Sequence, residues 1–272
     1  MFFFWVLFVF VTAKNDVILS SGLENFDRVQ LDHQYNLFSL YQKMNLISSS
    51  SMLIYNIDVH GHLDTYKTND SSVTAEYFQI LLTNDLGLKA YPCLYCDATS
   101  GFCSDLNSRL ENMYKNQSIF IWSVLERLLE NKFHGLYLDF EPDGTINWTK
   151  LTTFVLELSN VLHLFQLPVF LWFGYGTLYD ARIFSAVNVK IISMDTYTNT
   201  YIDFVHSASK NLELLSNSNM FGAGLLTSKK MSEKDLLNVV QWCAITNITS
   251  ITLWASTISG FAYKALHLFL SN

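Results

Sequence analysis

The stretch Phe133-His134-Gly135-Leu136-Tyr137-Leu138-Asp139-Phe140-Glu141-Pro142 decides how the chain is read. Side chains alternate along a strand, so Leu136, Leu138 and Phe140 fall on one face and Tyr137, Asp139 and Glu141 on the other. The first face is apolar and suits packing beneath helices. The second gathers carboxylates toward the strand's C-terminal end, the pattern of an α/β-barrel strand that opens into an active site. Acids on the inward face of so apolar a strand are costly to bury without partners, which marks Asp139 and Glu141 as the leading candidates for chemistry.

The length of 272 residues is close to the roughly 250 of one eight-stranded parallel (β/α)8 barrel, and no linker divides the chain. Apolar residues make up 50% and charged residues 15%, with 11 glycines and 3 prolines, which excludes a disordered or low-complexity class. A net charge of −7 without any lysine or arginine cluster excludes nucleic acid and anionic membrane surfaces as natural partners; a neutral or cationic partner is expected. The run from Met1 to Ala13, closing on Val11-Thr12-Ala13, reads as a secretory signal, too short for the about 20 residues that span a bilayer. The expected product is therefore a monomeric domain over residues 14–272, secreted or lumenal, with no membrane span after cleavage. Asn-x-Ser/Thr triplets at Asn69, Asn116, Asn147 and Asn247 fit that route.

In an oxidising compartment the 4 cysteines point to disulfides before metal. Cys96 and Cys103 bracket a glycine-containing loop and form the preferred pair, while Cys93 and Cys243 read as buried thiols. A zinc site on Cys93, Cys96 and Cys103 lacks a nearby fourth ligand. His60-Gly61-His62 reads as a turn, His134 as a capping or packing residue and His163 as solvated. No metal or cofactor is expected.

Strands are expected at Val17 to Ser20, Met52 to Val59, Leu88 to Leu94, the central stretch, Pro168 to Phe173, Val189 to Tyr197, Phe221 to Leu226 and Ser250 to Ala255. Helices are expected at Asn36 to Ile47, Thr74 to Leu82, Ser118 to Glu130, Leu151 to Phe165, Ser232 to Cys243 and Phe261 to Leu270. The clearest is the fourth, where Leu151, Phe154, Val155, Leu158, Val161, Leu162 and Phe165 recur at steps of three and four. Alternation of this kind means parallel neighbours joined by outside crossovers. A doubly wound open sheet alternates similarly, but no Gly-x-Gly-x-x-Gly follows the first strand.

The central stretch resembles the fourth strand of glycoside hydrolase family 18, the chitinase family, whose signature is Asp-Gly-x-Asp-x-Asp-x-Glu. Gly135, Asp139 and Glu141 fill matching positions, and His134 and Tyr137 stand at the first two aspartates. Ile192-Ser193-Met194-Asp195-Thr196-Tyr197 resembles the family's Met-x-Tyr-Asp segment with Tyr197 as its tyrosine and Asp195 at the methionine position. Ile251 to Ser256 resembles the terminal strand, whose tryptophan, here Trp254, floors the sugar site. The likeness runs in strand order from about residue 50 onward.

What this resemblance implies is hydrolysis of β-1,4-linked N-acetylglucosamine glycans by a substrate-assisted route, an exception to the two-carboxylate scheme. Glu141 would be the general acid, Asp139 would hold the substrate's acetamido N–H, and Tyr197 would position its oxygen. Trp254, Tyr137 and Asp195 would line the substrate, with Tyr137 donating a hydrogen bond to Asp139 in place of an aspartate. Two other readings stand beside it: a carbohydrate-binding barrel without turnover, and a two-carboxylate glycosidase with Asp139 or Asp195 as nucleophile. No Gly-x-Ser-x-Gly elbow, His-Glu-x-x-His or P-loop is present, so serine hydrolase, zinc peptidase and nucleotide-binding classes are excluded.

Overall fold

A computed structural model describes residues 15–22, 26–66, 68–70, 72–98, 103, 105–141, 146–174, 177–186, 188–226, 231–255, 258 and 260–271. The expected signal over residues 1–13 lies outside the described residues, as do Pro142, Tyr175 and Gly176. In chain order the first half runs β1 (Asp16–Ser21), α1 (Arg28–Lys43), β2 (Ser49–Ile57), β3 (Leu63–Thr65), α2 (Ala75–Leu86), β4 (Lys89–Ala90), β5 (Cys93–Asp97), α3 (Leu106–Lys115) and α4 (Gln117–Glu130). The second half runs β6 (Leu136–Glu141), α5 (Trp148–Leu164), β7 (Val169–Phe173), β8 (Val189–Ser193), α6 (Tyr201–Leu212), β9 (Phe221–Leu226), α7 (Glu233–Ile245), β10 (Ser250–Trp254) and α8 (Tyr263–Ser271).

Closure comes from β1, which pairs in parallel with β10 on one side and with β2 on the other. From there the ring runs β2, β5, β6, β7, β8, β9 and back to β10, parallel throughout. The chain is a single (β/α)8 barrel. Outward strand residues such as Leu138 and Phe140 join Val124, Leu128, Phe154 and Leu158 of the helices in one large core. A smaller core fills the barrel: Ile18, Leu53, Tyr91, Cys93, Tyr95, Tyr137, Phe170, Trp172, Ile192 and Met194. Among the described residues no helix is long and apolar enough to cross a membrane.

Local chemistry sets the element ends. Thr74, Asn147, Thr200 and Ser232 each accept a backbone N–H three residues on and so begin α2, α5, α6 and α7. α1 begins eight residues before the expected Asn36, because Asp27 and Gln30 form a reciprocal capping box there. Helices α3 and α6 lie where none was expected. His60-Gly61-His62 is a turn, tied by both histidine backbone N–H groups donating to Asp58 Oδ1 and followed by β3, antiparallel to β2. Gly61 has φ +84°, and a Cβ there would lie 2.3 Å from the Met113 nitrogen of α3, so only glycine fits.

Two strands differ from expectation in ways that matter for the site. The segment from Leu88 is broken at Pro92, which has no N–H to donate; β4 ends before it and β5 resumes after it, running on to Asp97. β8 stops at Ser193, and Met194 to Tyr197 form a turn closed by the Tyr197 N–H on the Met194 carbonyl at 3.0 Å.

The barrel's N-terminal end holds a buried polar knot. Asp16 Oδ1 accepts from Ser48 and, at 2.6 Å, from Ser49. Lys190 lies over the Phe170 ring with its ammonium 5.9 Å from the centroid and 3.3 Å from Thr249 Oγ1. Burial pushes the Lys190 pKa down to about 8, against the opposing pull of Asp16. The unfolded chain keeps this proton up to about pH 10.4 while the folded chain loses it near pH 8, so stability rises with pH across that window. Denaturant unfolding from pH 7 to pH 10 should show a gain on the order of 2 kcal/mol that is missing from Lys190→Met.

Candidate active site

β6 carries Tyr137, Asp139 and Glu141 up the inner wall in that order. Tyr137 is fully buried, Asp139 is 4% exposed, and Glu141 is half-buried at the mouth. The parallel register with β5 sets Cys93 beside Tyr137, Tyr95 beside Asp139, and Asp97 beside Glu141. Partners in register point the same way, so Cys93, Tyr95 and Asp97 share the inner face. Asp97, also 4% exposed, thus brings a third carboxyl to the pair expected from the sequence. Its Oδ2 accepts the Tyr95 hydroxyl at 3.1 Å, and the Tyr66 hydroxyl donates to the Tyr95 carbonyl at 3.0 Å.

Crowding of acids has a direct electrostatic result. Burial, then the charges of Glu141 and Asp97, hold the Asp139 carboxyl well above the ordinary carboxylate range. Burial and then Asp97 raise Glu141 in the same direction. Protons are therefore retained here at pH values where exposed carboxyls have lost them, which suits a general acid.

Beneath the acids stands a column of aromatic rings. Tyr137 stacks on Phe170 with centroids 4.7 Å apart and planes 5° from parallel. Its hydroxyl lies 2.6 Å from Thr252 Oγ1 on β10, a hydrogen bond across the barrel. The expected hydrogen bond from Tyr137 to Asp139 is not made: Thr252 already holds the hydroxyl, and the buried ring supports the site from below rather than lining its surface. Trp172 links this column to the mouth, with centroids 6.0 Å from Tyr137, 5.9 Å from Tyr197 and 6.3 Å from Trp254. Gly224 makes the room, since a Cβ there would lie 2.9 Å from Tyr197 Cε1 and 3.1 Å from the Trp172 ring. Tyr197 and Trp254 are both half-buried at the rim. Asp139 Oδ1 and Trp172 Nε1, an acceptor and a donor, are buried without a hydrogen-bond partner.

Asp195 is not among these groups. Ile192 and Met194 point into the barrel, whereas Asp195, in the turn beyond the end of β8, lies toward α6. Asn211 of α6 lies 3.4 Å from its Oδ2, and its Oδ1 packs against Gly174. Cys96 and Cys103 form a disulfide with Cα atoms 5.3 Å apart, directly beside Asp97, while Cys93 and Cys243 are free and buried. His134 accepts the Ala90 N–H on Nδ1 at 3.2 Å, and His163 is exposed. Among the described residues no group of three or more His, Cys, Asp or Glu side chains is disposed to hold a metal.

Solved structures with this arrangement of strands include a chitinase from Chromobacterium violaceum ATCC 12472, with TM-score 0.73 and 11% identity over 94% of this chain and 99% of that one. The fold is that of the chitinase-type barrels. The GH18 chitinase ChiB of Flavobacterium johnsoniae superposes with TM-score 0.69 and 12% identity over 95% of this chain and 94% of that one. The spore cortex-lytic enzyme SleL of Bacillus megaterium QM B1551 gives 0.70 and 8%, over 93% of this chain and 73% of that one. No family model and no curated protein matches the sequence. At these identities the likeness is one of fold.

The cross-barrel hydrogen bond gives a direct check on that geometry. Tyr137→Phe should lower the unfolding free energy by about 1–2 kcal/mol, because Thr252 is left unpaired. Adding Thr252→Val should recover part of the loss, and a double-mutant cycle in denaturant measures the coupling.

Proposed function

We propose that the protein is a secreted glycoside hydrolase that cleaves β-1,4-linked N-acetylglucosamine glycans by substrate-assisted catalysis. The observation that carries this reading is the acid-retaining Asp139–Glu141 pair, Asp139 buried and Glu141 half-buried, aimed into the mouth of a barrel folded like those of chitinases. Tyr197 and Trp254 at the same rim support a sugar ring as the occupant, since aromatic faces and edges fit the apolar faces of pyranoses. The apolar run from Met1 to Ala13 and the exposure of Asn69, Asn116, Asn147 and Asn247 support delivery through the secretory route.

In this scheme Glu141 gives its proton to the glycosidic oxygen as the bond to the anomeric carbon breaks. The substrate's own 2-acetamido oxygen attacks that carbon, forming an oxazolinium ion and releasing the leaving sugar as an alcohol. Asp139 accepts the acetamido N–H through its carboxyl oxygen, while the Tyr197 hydroxyl orients the attacking oxygen. Water then adds to the anomeric carbon, its proton passes to Glu141, and the product leaves with its configuration retained. Raised proton affinity at Glu141 keeps the acid loaded toward neutral pH, and turnover falls as pH climbs through its titration.

Chitin oligomers are the direct test. Glu141→Gln should lose about 10²–10⁴-fold in turnover while keeping wild-type thermal stability. Unchanged turnover would reject the scheme. Cleavage of oligosaccharides that lack the acetamido group would favour a two-carboxylate glycosidase, and binding without any sugar released between acid and neutral pH would favour a lectin-like barrel.

A further inference from the structure

We propose that Asp97 is a positioning residue of the site: facing Glu141 from the neighbouring strand, it shares one proton with that carboxyl and so keeps the acid loaded. The inference deepens the hydrolase reading and rests on Glu141 being its acid. Three observations carry it. Asp97 and Glu141 are register partners at the C-terminal ends of β5 and β6, and paired strands run about 4.8 Å apart. Asp97 is 4% exposed and Glu141 half-buried, so water screens the two carboxyls from each other less than at an open surface. Strand parity turns Asp97 inward, and the Tyr95 hydroxyl donates to its Oδ2 from the same face, which orients the carboxyl.

Among the described residues, the other titratable groups of this inner wall are Asp139 on β6 and Cys93 and Tyr95 on β5, with Tyr66 after β3 and Tyr197 after β8 packed against the same cluster. Tyr179, between β7 and β8, is coupled electrostatically to Asp139. All of these are neutral or acidic. No described lysine, arginine or histidine is among the groups that act on Glu141, so like-charge repulsion is not offset by a cation. Two carboxyls on register-paired residues of adjacent strands, one acting electrostatically on the other, lower their energy by retaining a proton between them, as in other carboxyl dyads. The fully buried Tyr137 engages Thr252 and not the acids, so the neighbouring strand supplies the third carboxyl of this site.

Carbon-13 NMR of the side-chain carboxyls in the full chain tests this whether or not turnover is seen. In the wild type, the Asp97 and Glu141 resonances, assigned with Asp97→Asn and Glu141→Gln, should titrate in two steps with shared midpoints. In Asp97→Asn the Glu141 midpoint should fall by about one pH unit and return toward wild type in Asp97→Glu. If hydrolysis is present, the alkaline limb of its pH profile should move down by the same amount. Independent single-step titrations of the two carboxyls in the wild type overturn the proposal, as does a Glu141 midpoint unmoved in a folded Asp97→Asn. Loss of the hydrolase reading through Glu141→Gln leaves these titrations readable, so the two failures are distinct.

Discussion

Closing a parallel sheet on itself gives each strand residue one of two addresses, the barrel interior or the helix layer, and the site's chemistry follows from that constraint. Once β1 is hydrogen-bonded to both β2 and β10, no edge remains and the register of every pair is set. Tyr137, Asp139 and Glu141 must then climb the inner wall together, and Cys93, Tyr95 and Asp97 must climb beside them. Three acids converge because two neighbouring strands each place polar residues at alternate inward positions. Asp195, past the end of β8, has no such strand address and meets Asn211 of α6 instead.

A barrel interior this narrow is filled with side chains, and here the filling is largely aromatic. Phe170, Tyr137 and Trp172 stack upward from the buried Lys190 to the rim. Asp139 sits directly above this column and is only 4% exposed, so the medium around it resembles a protein core more than a surface. Low polarity there raises the cost of a carboxylate's charge and leaves protonation as the cheaper state. The Tyr137–Thr252 hydrogen bond satisfies the Tyr137 hydroxyl within the column, as a buried hydroxyl requires.

Much of this was legible in the chain. α5 showed its helical period plainly because it packs one clean apolar stripe, and β6 showed its period of two because one of its faces holds chemistry. α3 was missed because its apolar positions are few: Leu106, Leu110 and Met113 are its buried residues. α1 was misplaced because its start is written in the Asp27 and Gln30 capping pair rather than in hydrophobic spacing. Asp97 went unseen for a related reason. Pro92 interrupts the strand signal, and Cys96 and Asp97 read as the start of a loop rather than as the last rungs of β5. The available clue was the alternation Cys93, Tyr95, Asp97 restarting after the proline. The hydrogen bond of Tyr137 lay beyond sequence reasoning, since Thr252 is 115 residues away and meets it only when the ring closes.

Trp172 touches both rim aromatics edge-on while remaining 1% exposed. An indole so placed is kept out of water while its edges meet both rim rings, so neither Tyr197 nor Trp254 can be repositioned without changing what that indole touches. The floor of the opening and its rim are thus one mechanical unit, joined through a single side chain.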